Sequence, residues 1–284
     1  MTISPLSAGL YLVATPIGSA RDITLRALDI LGAADVIAAE DTRNTRKLME
    51  IHGIKLNGRP LIPYHDHNGA GQRPRLIEAI ASGKSVAYVS DAGTPLIADP
   101  GFTLSRAVIE EGLEVTAAPG ASAVLSALSI AGLPTDRFLF AGFLPTKAGA
   151  RTTALQELGS VPATLVFYES PKRLDKTLRA MCEVFGGDRQ TAICRELTKK
   201  FEQVLRGTLS EVIEKREAEM PLKGELVIVL GPPMAKEVSA EDLDEALLQA
   251  LKDNSVKDAA KDVSQSFGIP RKTAYNRALE LSKG

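Results

Sequence analysis

The residues best suited to acid–base chemistry are carboxylates and a histidine that follow predicted strands or lie in a polar segment. Glu40 and Asp41 follow one apolar stretch, Asp91 follows another, and His65 lies in the polar segment 64–68. Histidine titrates close to neutral pH, and a carboxylate near a reacting group can accept its proton. Glu40, Asp41, His65 and Asp91 are therefore candidates for a general base.

Structural interpretations of these residues remain open beside the chemical ones. Asp41 directly precedes a helical pattern that begins at Thr42, and Asp is a favoured N-cap residue. His65 is followed by Asp66 and His67, which are further candidates, but a solvated polar loop explains the segment equally well. A histidine pair without further ligands at suitable spacing is weak evidence for zinc. We predict no metal centre.

Three loops rich in Pro, Gly and small residues follow predicted strands, at 15–18, 90–95 and 119–123. Ligands bind in the crevice beyond the strand ends of an open α/β sheet, and small residues let the backbone approach them closely. A tight turn explains any one of these loops. Three of them in one predicted domain favour a ligand site.

Two other segments come close to nucleotide-binding motifs without matching them. Segment 69–71 begins like G-x-G-x-x-G, but Pro74 replaces the third glycine. Segment 83–85 ends like a P-loop, but Glu78 stands where its first glycine belongs. We interpret both segments as turns, and we predict neither a Rossmann dinucleotide site nor a Walker ATPase.

The order of apolar stretches predicts two α/β domains followed by a linker. In residues 1–132, short apolar runs alternate with amphipathic stretches, which is typical of a sheet covered by helices. Over 133–231 the strand-like segments lie closer together, which favours a mixed sheet. Segment 231–239 contains paired prolines, which cannot extend a helix or a central strand, and is interpreted as a linker.

A third unit is predicted over 240–284, with helices at 242–251, 255–267 and 271–281. The spacing of the small and apolar residues on either side of Gly268 resembles that of a helix-turn-helix. Between 255 and 284, six basic residues oppose three acidic ones, a net charge of +3. A solvated three-helix cap is the alternative to nucleic-acid binding. The candidate RNA contacts in this unit are Lys257, Lys261, Arg271, Lys272 and Arg277.

Composition narrows the class of protein. The whole chain has 34 Lys and Arg against 35 Asp and Glu, so any surface that attracts a polyanion must be local. Cys182 and Cys194 lack the spacing of a zinc site or a CxxC motif and are expected to be reduced thiols. With neither a signal peptide nor a membrane span recognisable, we expect a cytoplasmic protein with no membrane partner.

Eight short stretches follow one another along the chain in a recognisable order. They are ATPIG (14–18), AEDTR (39–43), YHDHN (64–68), SDAGTP (90–95), PG (119–120), FYES (167–170), RELTK (195–199) and GE (224–225). These stretches resemble those of the ribosomal RNA small subunit methyltransferase I family, within the tetrapyrrole methylase superfamily. The resemblance covers about residues 10–230 and extends to a similar tail. So many matches in one order are more specific than any single loop.

The resemblance implies S-adenosylmethionine as cofactor, folded in a cleft between the two α/β domains. Because alternate residues of a strand point to opposite faces, only one of Phe167 and Tyr168 can readily face it, and core packing is the alternative for either. The cofactor contacts implied by the family motifs are Pro16, Asp91, Ala92, Gly93, Thr94, Pro95, Ser122, Ala123, Phe167, Tyr168, Ala192, Gly224 and Glu225.

The resemblance also implies the reaction, 2′-O-methylation of a cytidine in the decoding centre of small-subunit (16S) ribosomal RNA by a homodimer. Arg43, with basic residues nearby, is expected to face the RNA, and surface solvation is the alternative. One rival function is methylation of a tetrapyrrole or a protein side chain by the same fold. Another is a nucleic-acid-binding regulator that senses a small ligand.

Overall fold

The first half of the chain forms a parallel sheet of five strands in a computed structural model that describes residues 5–65, 68–97, 101–233, 240–267 and 269–282. The strand order is β3-β2-β4-β1-β5. The strands are β1 (Gly9–Val13), β2 (Val36–Ala39), β3 (Leu61–Pro63), β4 (Ser85–Val89) and β5 (Val115–Ala118). The helices between them are α1 (Leu25–Ala33), α2 (Thr42–Ile51), α3 (Gly69–Ala81) and α4 (Phe102–Glu110).

These four helices cover the two faces of the sheet in pairs. Buried residues of α1 and α2, such as Leu31 and Met49, form one core cluster, and Leu76 and Leu104 of α3 and α4 form another. Neighbouring strands β1 and β4 are therefore followed by helices on opposite faces. The crevice at their carboxyl ends is the place where open α/β sheets bind ligands.

The second sheet is mixed, as expected, with the order β6-β7-β10-β8-β9. Only the pair β6–β7 is parallel. Its strands are β6 (Phe138–Phe143), β7 (Thr164–Glu169), β8 (Gln190–Arg195), β9 (Gln203–Thr208) and β10 (Leu226–Leu230). The helices are α5 (Ala123–Ala131), α6 (Ala148–Leu158), α7 (Leu174–Phe185) and α8 (Leu209–Glu219).

Helix α5 belongs to the core of this second sheet. Its buried residues Val124, Ala127 and Leu128 pack against Val166 and Val229 of β7 and β10, whereas α6, α7 and α8 contribute to a separate cluster. The chain divides into compact units at Met1–Pro232 and Pro233–Gly284, so both sheets lie in one unit. The boundary proposed between 132 and 133 stays a prediction.

The C-terminal unit contains α9 (Ala240–Ala250), α10 (Val256–Phe267) and α11 (Arg271–Leu281). Leu247 and Val263 pack between the helices with the small residues Ala260, Ala274 and Ala278, which allow the helices to approach closely. Residues 234–239 of the predicted linker and the turn residue Gly268 lie outside the described residues. Across the described ranges, no helix is long and apolar enough to cross a membrane.

One turn prediction is wrong and the other is confirmed. Segment 69–71 begins helix α3, with Asn68 as N-cap and Pro74 inside the helix. Burial of Leu76 and Ile80 on one face of α3 outweighs the weak helix propensity of its glycines and proline. Gly83 does lie in a turn, with φ of +93°.

Candidate active site

A cavity of about 450 Å³ lies at the carboxyl edge of the first sheet and is also lined by residues of the second sheet. Its size suits a small-molecule ligand. It brings together residues predicted from four separate loops and one strand. Those residues are Glu40, Asp91, Ala92, Gly93, Thr94, Ser122, Ala123, Tyr168, Gly224 and Glu225.

The loop after β4 is held in place by backbone and hydroxyl contacts. The N–H groups of Thr15 and Gly93 donate to each other's carbonyls, both at 3.0 Å. The Thr94 hydroxyl donates to the Ala121 carbonyl at 3.0 Å. Gly93 has φ of +81°, and a Cβ there would lie 3.3 Å from Cγ2 of Ile17, another residue of the cavity wall. Glycine therefore fits this position better than any other residue.

Two carboxylates face the cavity and are linked through the backbone. The Asp91 N–H donates to Glu40 Oε2 at 3.2 Å, and the Asp41 N–H donates to Asp91 Oδ1 at 3.0 Å. These contacts orient both side chains at the ends of β2 and β4. Negative charge at this wall suits a cationic ligand.

Asp41 has a different role from its neighbours. It is the N-cap of α2, accepting from the Arg43 N–H at 2.8 Å, so the N-cap interpretation is confirmed. Its carboxylate also accepts from the Arg43 guanidinium at 2.6 Å. These hydrogen bonds from Arg43 lower the pKa of Asp41 to about 2. A carboxylate with so low a pKa is a poor general base at neutral pH.

The apolar wall is provided by the second sheet. Tyr168 lines the cavity and packs edge-on against Phe140 and Phe143, with ring centroids 4.8 and 5.6 Å apart. Burial, followed by the nearby charge of Glu225, raises the pKa of Tyr168. The phenol therefore stays neutral at physiological pH.

A salt-bridged turn borders the cavity beside Tyr168. The Glu225 N–H donates to Glu196 Oε1 at 3.0 Å, and Lys199 Nζ lies 2.9 Å from both Glu196 Oε1 and Glu225 Oε2. The pKa of Glu196 is lowered, first by the Glu225 N–H and then by Lys199. Gly224 has φ of +93°, and a Cβ there would collide with the Glu196 side chain at 2.6 Å. A side chain at this position would strain the backbone and displace Glu196 from its contacts with Lys199 and the Glu225 N–H, so glycine is favoured here.

Comparison with known proteins identifies the family. Residues 9–213 match the family model of the tetrapyrrole (corrin/porphyrin) methylases, and residues 237–282 match the RsmI C-terminal HTH domain. A ribosomal RNA small subunit methyltransferase I from Mesorhizobium japonicum is 48% identical over 277 residues, covering 98% of this chain and 93% of the relative. The chain belongs to the ribosomal RNA small subunit methyltransferase I family.

Solved structures show the same fold at lower identity. A cobalt precorrin-4 methyltransferase of cobalamin biosynthesis aligns with a TM-score of 0.59 at 17% identity, covering 78% of this chain and 94% of that one. A uroporphyrin-III C-methyltransferase from Thermus thermophilus, complexed with S-adenosyl homocysteine, aligns with a TM-score of 0.53 at 19% identity, covering 78% and 97%. The predicted α/β tetrapyrrole methylase fold, with a helix-turn-helix tail, is confirmed.

Four residues for which the family resemblance implies a cofactor contact lie outside the lining of this cavity. Phe167 is fully buried in the core beneath α7, on the face opposite to Tyr168, because adjacent strand residues alternate. Ala192 is fully buried in the cluster beneath α5. Pro95 is buried outside the cavity lining, and Pro16 lines a neighbouring depression. Of the two aromatic residues, Tyr168 is the one whose side chain faces the cavity.

His65, the histidine candidate that the structure describes, is not brought to this cavity. His65 lies outside the cavity lining, and its backbone N–H donates to Asn68 Oδ1 at 2.9 Å. Asp66 and His67 lie outside the described residues. In the part of the chain that the structure describes, no group of three or more His, Cys, Asp or Glu is arranged to hold a metal ion.

About half of the residues that line the cavity were not predicted from the sequence. Most of these residues are apolar and carry no pattern that separates them from core residues. Glu169 is the exception: it is 3% exposed, accepts from the Thr177 hydroxyl at 2.6 Å and pairs with Arg173 at 3.2 Å. A charged residue at the end of a buried strand was the available signal. The missed residues are Ile17, Ile97, Phe143, Glu169, Ser170, Pro171, Cys194, Leu197, Leu226 and Val227.

In the C-terminal unit, one predicted RNA contact is already paired within the protein. The Arg277 guanidinium bonds to Asp244 of α9 at 2.5 Å and to Glu280 at 2.7 Å, and these contacts raise its pKa. Arg277 therefore joins α11 to α9. The other four predicted contacts have exposed side chains: Lys257, Lys261, Arg271 and Lys272.

Proposed function

We propose that the protein transfers the methyl group of S-adenosylmethionine to the ribose 2′-hydroxyl of a cytidine in the decoding centre of 16S ribosomal RNA. The observation that carries this proposal is the cavity built from the family's own motif loops, in a chain that belongs to a ribosomal RNA methyltransferase family. The related fold with bound S-adenosyl homocysteine supports the cofactor.

The chemistry of the cavity fits this cofactor. Glu40 offers negative charge to the cofactor's ammonium and sulfonium groups, and Ser122 and Ala123 lie at the start of α5, where a helix favours a carboxylate. Tyr168, Leu197 and Val227 offer apolar surface to its adenine base. We propose that loop 91–94 and the start of α5 hold the methionine part, and that Tyr168 and the 224–225 turn hold the adenosine.

The residues of the cavity contribute alignment and proton transfer. When bound, the cofactor supplies an activated methyl group whose leaving group is neutral, so placing the attacking hydroxyl is the main task of the protein. Asp91 is the candidate base that accepts the hydroxyl proton, since it lines the cavity and is oriented by the Asp41 N–H. Glu40 positions Asp91 through the Asp91 N–H.

We further propose that Arg43 and the exposed lysines and arginines of the C-terminal unit contact the ribosomal RNA. The Arg43 side chain is 88% exposed, which leaves it accessible to a phosphate despite its pairing with Asp41. The division into domains at 1–132, 133–231 and 240–284, the homodimer and the cytoplasmic location are retained as parts of this proposal. The ribosomal substrate of the family supports the location.

Transfer of labelled methyl groups from S-adenosylmethionine to isolated small ribosomal subunits tests the proposal. We expect label in the RNA and none in ribosomal proteins, with saturation at one group per subunit. Label in protein, or transfer to a tetrapyrrole such as uroporphyrinogen in place of RNA, would support a rival methyltransferase. Binding of RNA and cofactor without any transfer would support a regulator.

A further inference from the structure

A second depression adjoins the cavity on the face of the first sheet that α1 and α2 cover. Its volume is about 230 Å³. It lies between the loop after β1, the end of β4 and one side of α2. Asp91 lines both this depression and the larger cavity. A ligand in the second depression therefore lies beside a ligand in the first.

One side of α2 gives this depression its chemical character. Asn44, Lys47, Leu48 and Ile51 follow one another at helical spacing and all line it. Asn44 presents an amide that both donates and accepts hydrogen bonds, and Lys47 presents a positive charge. Leu48 and Ile51, with Pro16 across from them, provide apolar surface. This combination suits a flat polar ring attached to an anionic chain.

Two buried hydroxyls that line the depression, those of Thr15 and Ser90, are already used by the protein. Thr15 Oγ1 donates to the Ser90 carbonyl at 3.1 Å, and Ser90 Oγ donates to the Gly93 carbonyl at 2.9 Å. These bonds hold this part of the depression rigid and connect it to loop 90–95 of the larger cavity. Recognition of a ligand then falls to Asn44 and Lys47 at the sides.

The surface around the depression can attract a phosphate backbone. Arg43 and Arg46 on α2 and Arg21 in the loop after β1 are exposed, against the exposed carboxylates Asp22, Glu50 and Asp91, the last of which lines the depression. Phosphate contacts position a nucleic acid, and contacts to base edges specify it. Enzymes that do chemistry on a base take that nucleotide out of the stack into a pocket. A pocket for the base would in the same way fix the position of the attached ribose.

We infer that the second depression receives the target nucleoside of the RNA, with its base against Asn44 and Leu48 and its neighbouring phosphate near Lys47. The sugar then lies at Asp91, between the two cavities. This inference rests on the proposed function and adds to it the place where the target nucleoside binds. It makes Asn44 a substrate-binding residue.

Steady-state methylation of isolated small subunits by the full-length protein tests the inference. Asn44→Leu keeps the size of the side chain and removes its hydrogen bonds, and we expect the KM for the subunit to rise about tenfold. Leu48→Trp fills the depression, and we expect kcat/KM to fall by roughly a hundredfold. Affinity for S-adenosylmethionine, measured by calorimetry, should stay within about twofold in both variants.

A lysine pair provides the matched control. Lys47→Ala should raise the KM for the subunit about threefold or more. Lys55 is an exposed lysine beyond the end of α2, and Lys55→Ala should leave the KM unchanged.

Wild-type kinetics in Asn44→Leu and Lys47→Ala would overturn the inference and leave the proposed function intact. Failure of the wild-type protein to methylate subunits would overturn the proposed function first. If Leu48→Trp also loses affinity for S-adenosylmethionine, its kinetics no longer report on the depression alone. The kinetics of Asn44→Leu and Lys47→Ala then decide whether the depression binds the target nucleoside.

Discussion

Three carboxylates lie close together at the strand ends, and their hydrogen bonds give them different roles. Asp91 and Glu40 face the cavity, whereas Asp41 caps α2 and holds Arg43. The sequence was enough to predict that these three carboxylates follow strands and belong to the candidate site. Which carboxylate faces the ligand could not be predicted, because that depends on how β2 and β4 end side by side.

At the residue scale, the proposed base predicts a specific loss of rate. Asp91→Asn keeps an oxygen that can accept from the Asp41 N–H but is not basic, so we expect kcat for subunit methylation to fall roughly a hundredfold or more. Asp41→Asn is the matched control and should change kcat by less than about threefold. Equal losses in the two variants would show that Asp91 acts only through structure.

The titration of Asp41 provides a second residue-scale prediction. Its folded-state pKa of about 2 lies below the ordinary value of 3.8, so the ion pair with Arg43 is fully formed above about pH 4 and is lost as the pH falls through 2. Carbon-13 NMR of the carboxyl group should show this midpoint. Arg43→Met should move the midpoint upward, and an unchanged value would contradict the role of Arg43.

At the scale of elements, the loop after β4 predicts a difference between two glycines with positive φ. Gly93→Ala places a Cβ 3.3 Å from Ile17 in the cavity wall, whereas Gly112→Ala meets nothing within 4 Å. Both changes carry a similar backbone strain. We expect Gly93→Ala alone to weaken binding of S-adenosylmethionine by about tenfold or more in calorimetry. Similar affinity in both variants would place the cofactor elsewhere.

Some of the strands and helices could be predicted from the sequence, and others could not. The alternation of apolar runs predicted the strands beside the cavity, but β3, with three residues, was too short to stand out. Helix α3 was missed because Gly and Pro are read locally as turn formers, while its buried face is decided by packing. The apolar wall, including Leu197 and Val227, could not be separated from core residues, because these wall residues are buried and apolar, as core residues are.

At the scale of the whole molecule, we expect the cofactor and RNA functions to separate between the two units. Ending the chain at Pro232 keeps the Gly231 carbonyl, which accepts from buried Arg189 at 2.8 Å. Affinity for S-adenosylmethionine should stay within about twofold. Affinity for small subunits should fall. The slope of log affinity against log salt should become shallower by roughly 2 to 3, because the four exposed predicted phosphate contacts Lys257, Lys261, Arg271 and Lys272 are removed.

Equal subunit affinity and an equal salt slope in the truncated and full-length proteins would contradict this division. The C-terminal unit would then be a structural cap, and Arg43 with its neighbours on α2 would supply the RNA surface. Arg277 is left out of the expected phosphate contacts because its charge is held by Asp244 and Glu280.

We propose that one ribose hydroxyl of ribosomal RNA receives the methyl group. Nucleoside mass spectrometry of 16S RNA can test this, using small subunits treated with the purified protein and isotope-labelled S-adenosylmethionine. We expect label in 2′-O-methylcytidine, approaching one per subunit, and its loss with Asp91→Asn. Label on a base, or in a nucleoside other than cytidine, would contradict it.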